Sequence, residues 1–189
     1  GKEAGCEEEI SQITSQTMRG ELDFERSLRA RVALLKGLPV SVFDTVFKSI
    51  HLSKNAQEFI SILQKKGILV GLVSGGFIPI VERLAESLGI SYFSANQLEV
   101  KDGFLTGKLV GEIVTGQVKN ATLEKWRKEL GLPKERTFAI GDGANDLLML
   151  KSAGRGIAFC AKEVVKTEIA SHIDTRDFLE VLPLIDFLE

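Results

Sequence analysis

Hydrophobic positions change their period near residue 52. Before that point they recur at helical spacing. Ile10, Ile13 and Met18 share one helix face, and Gly20 interrupts the pattern. Asp23 is placed to cap the next helix, in which Phe24, Leu28, Val32 and Leu35 form an apolar stripe. Gly37 and Pro39 end that segment, and Val40, Phe43, Phe47 and Ile50 mark a third short helix. Three short amphipathic helices with brief connections predict a small helical cap over residues 1–52.

From residue 53 to 189 strands and helices alternate. Ala56, Phe59, Ile60 and Leu63 predict a helix ending at Gly67, and Ile68 to Val73 is an unbroken apolar run suited to a buried parallel strand. Ser74-Gly75-Gly76 reads as a turn, and Ile78 to Leu88 as a helix. Leu98 to Val110, broken at Asp102-Gly103, predicts a hairpin. A helix over Leu123 to Leu130 follows, then a strand at Thr137 to Ile140 and a helix at Asn145 to Ser152. The chain closes with a strand at Gly156 to Phe159, a helix around Glu163 to Ala170, a short strand near Ile173 and a helix from Asp177. Such alternation predicts an α/β, Rossmann-like core with an open, mostly parallel sheet and helices on both faces.

With 189 residues, 44% of them apolar, the chain supports one sizeable core plus a small appendage. Lys and Arg number 24 against 26 Asp and Glu, a net charge of -2, so nothing favours nucleic acid or an anionic membrane as partner. No apolar run approaches the ~20 residues of a membrane span. The polar, acidic stretch from Gly1 to Glu9 is not a signal peptide. Cys6 and Cys160 have no metal-ligand spacing and read as free thiols in a reducing cytoplasm. His51 and His172 stand beside no other ligand type.

Three polar clusters fall where strands end, the place where open α/β sheets bind ligands. The first is Gly141-Asp142-Gly143-Ala144-Asn145-Asp146. Its oxygen-rich side chains suit a hard cation such as Mg²⁺. Helix capping would account for Asn145 or Asp146, but not for Asp142 in a glycine-flanked turn. The second, Ser74-Gly75-Gly76-Phe77, offers a hydroxyl and bare amides for a phosphate, although glycine is common in strand-to-helix turns. The third is Lys119, which alone would read as a surface lysine. Arg31 lies roughly 20° from Phe24 around the helix, inside the apolar stripe. A charge there needs a partner, either by snorkelling or ion pairing or by clamping a ligand carboxylate.

Taken together, Ser74, Lys119 and the Asp142 to Asp146 turn resemble the signature of the haloacid dehalogenase superfamily. Val73 to Phe77, the Gly-Asp-Gly-Ala-Asn-Asp turn and the stretch Met18 to Phe24 followed by Arg31 resemble the phosphoserine phosphatases within it. The likeness runs along nearly the whole chain. It departs at Lys54-Asn55, where the family usually has Pro-Gly, and at Val118 and Asn120 around Lys119.

That resemblance implies hydrolysis of O-phospho-L-serine, the last step of serine biosynthesis, through an aspartyl phosphate, with Mg²⁺ as cofactor. It assigns catalytic roles to Ser74, Lys119, Asp142 and Asp146, with Asp142 on the metal. Substrate contacts fall to Met18, Phe24, Arg31, Ser74, Gly75, Lys119 and Asn145, with Arg31 on the substrate carboxylate. A homodimer is compatible with it.

The superfamily's nucleophile lies in an Asp-x-Asp motif at the end of a central first strand, and no Asp-x-Asp occurs in this sequence. The missing strand belongs between those ending at Val73 and Ile140. Its removal orphans buried backbone groups at about 1–3 kcal/mol each, against about 5–15 kcal/mol of domain stability. The expectation is therefore that a separate N-terminal segment supplies strand and nucleophile, and that this polypeptide alone has little or no phosphatase activity. Two competing readings are a non-catalytic phospho-ligand or protein-binding module, and the phosphorylation domain of a cation pump.

Overall fold

The computed structural model describes residues 2–18 and 23–185. The side chain of Met18 and the stretch Arg19 to Leu22, both part of the predicted cap motif, lie outside the described residues. The described chain falls into two compact units, one of Gly1–Ile50, Ser74–Leu84 and Ser94–Thr115, the other of His51–Val73, Ala85–Phe93 and Gly116–Glu189. The expected cap of residues 1–52 thus shares its unit with two stretches from the expected core of 53–189.

In the first unit, α1 spans Glu7–Met18, α2 Phe24–Ala33 and α3 Val42–Lys48. Asp23 caps α2 as expected, its carboxylate accepting the Arg26 N–H at 2.8 Å. The Phe24, Leu28, Val32 and Leu35 stripe packs with Phe43 against Leu98, Leu105 and Ile113. Those three residues come from β2 (Tyr92–Lys101), β3 (Phe104–Val110) and the segment after it, which explains why the hairpin clusters with the helices. The hairpin turns at Asp102 and Gly103, whose φ values of 51° and 82° are those of a type I′ turn. Backbone bonds from Gly37 to Leu105 and from Leu105 to Leu38, both 2.8 Å, fix the end of α2 to β3.

In the second unit, α4 (Ala56–Lys65) stops where the sequence expects. Gly67 has φ 75°, and the Ile68 N–H reaches back to the Leu63 carbonyl at 2.9 Å, a Schellman closure. The strand that follows differs from expectation. β1 covers Gly71–Phe77, not Ile68 to Val73, so Ser74, Gly75 and Gly76 are extended strand rather than a turn, and α5 (Ile78–Ser87) follows directly. Ile68 and Val70 are spent instead on the core around Phe59 and Leu63, with Leu69 57% exposed between them.

Further along come α6 (Gly116–Glu129), β4 (Phe138–Gly141), a 3-10 turn at Ala144–Asp146, α7 (Leu147–Ser152), β5 (Arg155–Phe159), α8 (Glu163–Lys166) and β6 (His172–Ile173). The helix expected to Ala170 is thus the four-residue α8, and the last expected helix is a 3-10 segment, Phe178–Leu184. β4, β5 and β6 pair in parallel. Side chains of β5 alternate between two cores. Ala158 packs with Met149, Leu150 and Val165, whereas Ile157 and Phe159 pack with Phe59, Leu63 and Val181. Both faces of this sheet are therefore covered, as parallel sheets require. Among the described residues the strands form two three-stranded sheets, ordered β1-β2-β3 and β4-β5-β6, with β1 and β4 in different sheets.

Candidate active site

The carboxyl end of β4 runs into a turn built around one carboxylate. Asp146 is only 4% exposed, and both of its oxygens are engaged. Oδ2 accepts the backbone N–H groups of Asp142 and Gly143 at 3.2 and 3.1 Å. Oδ1 accepts a hydrogen bond from Lys119 Nζ at 2.7 Å, and Lys119 is itself 7% exposed on α6. Lys119 is therefore not the surface lysine that its sequence position alone suggests. A Cβ on Gly141 would stand 2.6 Å from the Asp146 Cβ, so the turn closes only around glycine. Gly116 plays the same part at the start of α6, where a Cβ would meet the Asn145 carbonyl oxygen at 2.9 Å.

Asp142 differs from Asp146. It is exposed, and its carboxylate has no hydrogen bond or ion pair among the described residues. Its carbonyl accepts the Lys162 N–H at 3.1 Å, which fastens the loop after β5 to this turn.

The other candidates belong to the first unit. Ser74 and Gly75 lie in β1, and the Gly76 N–H donates to Ser74 Oγ at 2.9 Å. The hydroxyl proton of Ser74 is thereby left to donate elsewhere. Phe24 opens α2, and its Cζ would stand 3.5 Å from a Cβ on Gly75, ordinary van der Waals contact. Arg31 sits partly buried two turns further along α2. Its Nε donates to the Ser27 carbonyl at 3.3 Å, and no carboxylate pairs with it among the described residues. Desolvation by burial pulls the guanidinium pKa below its ordinary value.

The chain matches the haloacid dehalogenase-like hydrolase family over residues 4–151. A phosphoserine phosphatase of Streptococcus thermophilus is 53% identical over 186 residues, which are 98% of this chain and 86% of the relative. The chain belongs to the haloacid dehalogenase-like hydrolases, in their phosphoserine phosphatase branch. A phosphoserine phosphatase of Methanocaldococcus jannaschii is 46% identical over 184 residues, 97% of this chain and 87% of the relative. A substrate-bound phosphoserine phosphatase complex superposes with a TM-score of 0.91 at 46% identity, covering 98% of this chain and 88% of that one. A phospho-aspartyl intermediate analogue of a phosphoserine phosphatase gives 0.90 at the same identity and coverage.

Haloacid dehalogenase phosphatases typically use a metal ion, and the acidic turn fits one in part. The Asp142 carboxylate makes no hydrogen bond or ion pair among the described residues, whereas both Asp146 oxygens already accept hydrogen bonds. A hard cation often takes only one or two carboxylates from the protein and fills its shell with water and substrate oxygens. Among the described residues no group of three His, Cys, Asp or Glu side chains could hold a metal unaided. Among the same residues no helix is long and apolar enough to cross a membrane.

One built-in polar group of this phosphatase fold escapes a motif search. Asn96, in β2, is 1% exposed, with Nδ2 donating to the Gly75 carbonyl and Oδ1 accepting the Val114 N–H, both at 2.9 Å. Its signal in the sequence is faint. Counting back by two from the buried Leu98 puts an amide on an inward-facing strand position.

Proposed function

We propose that this protein hydrolyses O-phospho-L-serine to serine and phosphate, as the last step of serine biosynthesis, through an aspartyl-phosphate intermediate with Mg²⁺ as cofactor. The observation that carries the substrate assignment is Arg31. A partly buried guanidinium with no carboxylate partner among the described residues is matched in charge and shape to the carboxylate of an amino-acid phosphate. Phe24 walls the substrate, and Asn145 contributes a polar contact to it.

Each remaining residue has a role its chemistry allows. Ser74 donates its free hydroxyl proton to a phosphoryl oxygen, with Gly75 beside it. Lys119 sets positive charge against the oxygens that gather negative charge, and Asp146 holds that lysine in place. Asp142 would hold Mg²⁺, and Asp146 would help to orient the metal's water ligands through the backbone of the turn. When bound, Mg²⁺ withdraws charge from the phosphoryl oxygens.

The attacking carboxylate comes from a segment outside these 189 residues, because no Asp-x-Asp stands within them. Its oxygen bonds to phosphorus as the phosphorus–serine oxygen bond breaks, and water then hydrolyses the acyl phosphate. β4 supports this reading. Phe138 and Ile140 pack on one side and Ala139 on the other, the burial of an interior parallel strand, and among the described strands it pairs with β5 alone.

The test is a phosphoserine assay with Mg²⁺ on the 189-residue chain, with and without a peptide carrying the Asp-x-Asp strand. Turnover is expected only with the peptide. Turnover by the chain alone would place the nucleophile inside it. Tight phosphate binding without turnover in the complemented protein would favour a binding module instead.

A further inference from the structure

Asn96 acts on more than β2. Its amide bonds two backbone groups from two other segments, Gly75 and Val114, one at each end, and it is sealed from water. A buried amide satisfied at both ends is a brace. What it braces is the peptide plane joining Gly75 to Gly76. That plane is rigid and trans, so its carbonyl and its N–H point in opposite directions. Fixing the Gly75 carbonyl therefore fixes the direction of the Gly76 N–H, the same N–H that donates to Ser74 Oγ. Two consecutive glycines would otherwise leave this plane unusually free to rotate.

From this chain of bonds we infer that Asn96 is a positioning residue for phosphoryl binding. It acts through the Gly75–Gly76 peptide to hold the Ser74 hydroxyl with its oxygen occupied and its proton free to donate. The inference rests on the reading of Ser74 as a phosphate ligand, and it adds the element that aims it. Asn96 itself touches no substrate.

The two bonds of Asn96 can be separated. Asn96→Asp keeps an oxygen for the Val114 N–H but sets an acceptor against the Gly75 carbonyl. Binding of inorganic phosphate and of L-serine is measured by calorimetry on the complemented protein, for wild type, Asn96→Asp, Ser74→Ala and the double variant. Phosphate binding should weaken about tenfold in Asn96→Asp, as for a lost hydrogen bond, with L-serine binding unchanged. The double variant should bind phosphate no worse than Ser74→Ala, because both changes remove one contact. On acidification the ratio of Asn96→Asp to wild type should approach one, since a protonated carboxyl regains a donor for Gly75.

Wild-type phosphate affinity in Asn96→Asp, with a clear loss in Ser74→Ala, would reduce Asn96 to a structural residue. Additive losses in the double variant would show that it acts elsewhere than on Ser74. No loss in Ser74→Ala would overturn the phosphate-ligand reading and the inference with it. If Asn96→Asp does not fold, Asn96→Ala removes the same donor without burying a charge and is held to the same binding outcomes, the recovery on acidification excepted.

Discussion

Lys119 Nζ stands 2.7 Å from Asp146 Oδ1, and both side chains are nearly sealed from solvent. Twenty-seven positions separate them, so the ammonium on α6 and the carboxylate at the end of β4 meet only through the fold. The same carboxylate organises the turn through two backbone N–H groups. Breaking such a pair leaves an uncompensated buried charge, which typically costs about 3–5 kcal/mol. Lys119→Met should lower stability by that order in urea unfolding. Lys119→Met combined with Asp146→Asn should cost clearly less than the sum of the two single changes. Simple additivity would show that the two charges do not sustain each other.

Gly141→Ala tests the same turn sterically. Gly141 has no left-handed backbone angle, so alanine brings no φ strain. Its Cβ would collide with Asp146 Cβ, Cγ and Oδ2 at 2.6, 2.7 and 2.8 Å. Overpacking of this kind costs about 1–3 kcal/mol. Phosphoserine turnover in the complemented protein should fall along with the melting temperature. A variant as active and as stable as wild type would mean that the turn has slack these distances deny.

The features legible in the sequence were those set by a few neighbouring residues. The Asp23 cap, the Phe24/Leu28/Val32/Leu35 stripe, the Gly67 stop and the Asp102-Gly103 turn all follow from local spacing and backbone preference. Ser74 to Gly76 read as a turn in the sequence because glycine pairs usually mark one. What keeps them extended is their place in the sheet with β2, which is not written in their own residues. The residue types around the acidic turn were visible, and so was the contrast between Asp142 and Asp146. The buried pairing of Asp146 with Lys119 was not, because the fold alone brings α6 to the end of β4.

Ser27 offers a stability gain. Its hydroxyl is fully buried and makes no hydrogen bond among the described residues. Thr14, Ser15, Thr17 and Thr122 each bond the carbonyl four residues back on their own helix, and Ser27 does not. Ser27→Ala removes an unsatisfied polar group and improves helix propensity. The change should stabilise by about 1–2 kcal/mol, read as a raised urea midpoint. A loss of stability would show that the hydroxyl has a partner after all.

Arg31→Ala should separate substrates by their carboxylates. A hydrogen-bonded charge pair is worth about 1.5–3 kcal/mol, so KM for phosphoserine should rise about 10–100-fold. For an aryl phosphate, which has no carboxylate to hold, KM should barely move. Equal rises for both would count against the clamp and in favour of a role in shaping α2.

The pH dependence of stability should carry the imprint of Asp177. Its carboxylate accepts hydrogen bonds from Lys54 Nζ and Asn55 Nδ2, both at 2.8 Å, and from the Leu179 N–H at 3.1 Å. The Lys54 bond, then the Asn55 bond, hold its pKa below the ordinary carboxylate value. This ties the C-terminal segment to the start of α4, where Asn55 takes the left-handed angle φ 59° that the usual family glycine adopts without cost. A depressed folded-state pKa means that the unfolded chain takes up the proton first as pH falls. The stabilisation is therefore complete above the unfolded value of about 3.9 and is lost as pH drops through the lower folded value. Melting temperature should fall below about pH 4 in wild type. Asp177→Asn should start lower at neutral pH and lose less on acidification. Asn55→Gly keeps the backbone angle, deletes one hydrogen bond and should fall between the two. Parallel acid profiles for wild type and Asp177→Asn would show that this carboxylate does not couple folding to pH.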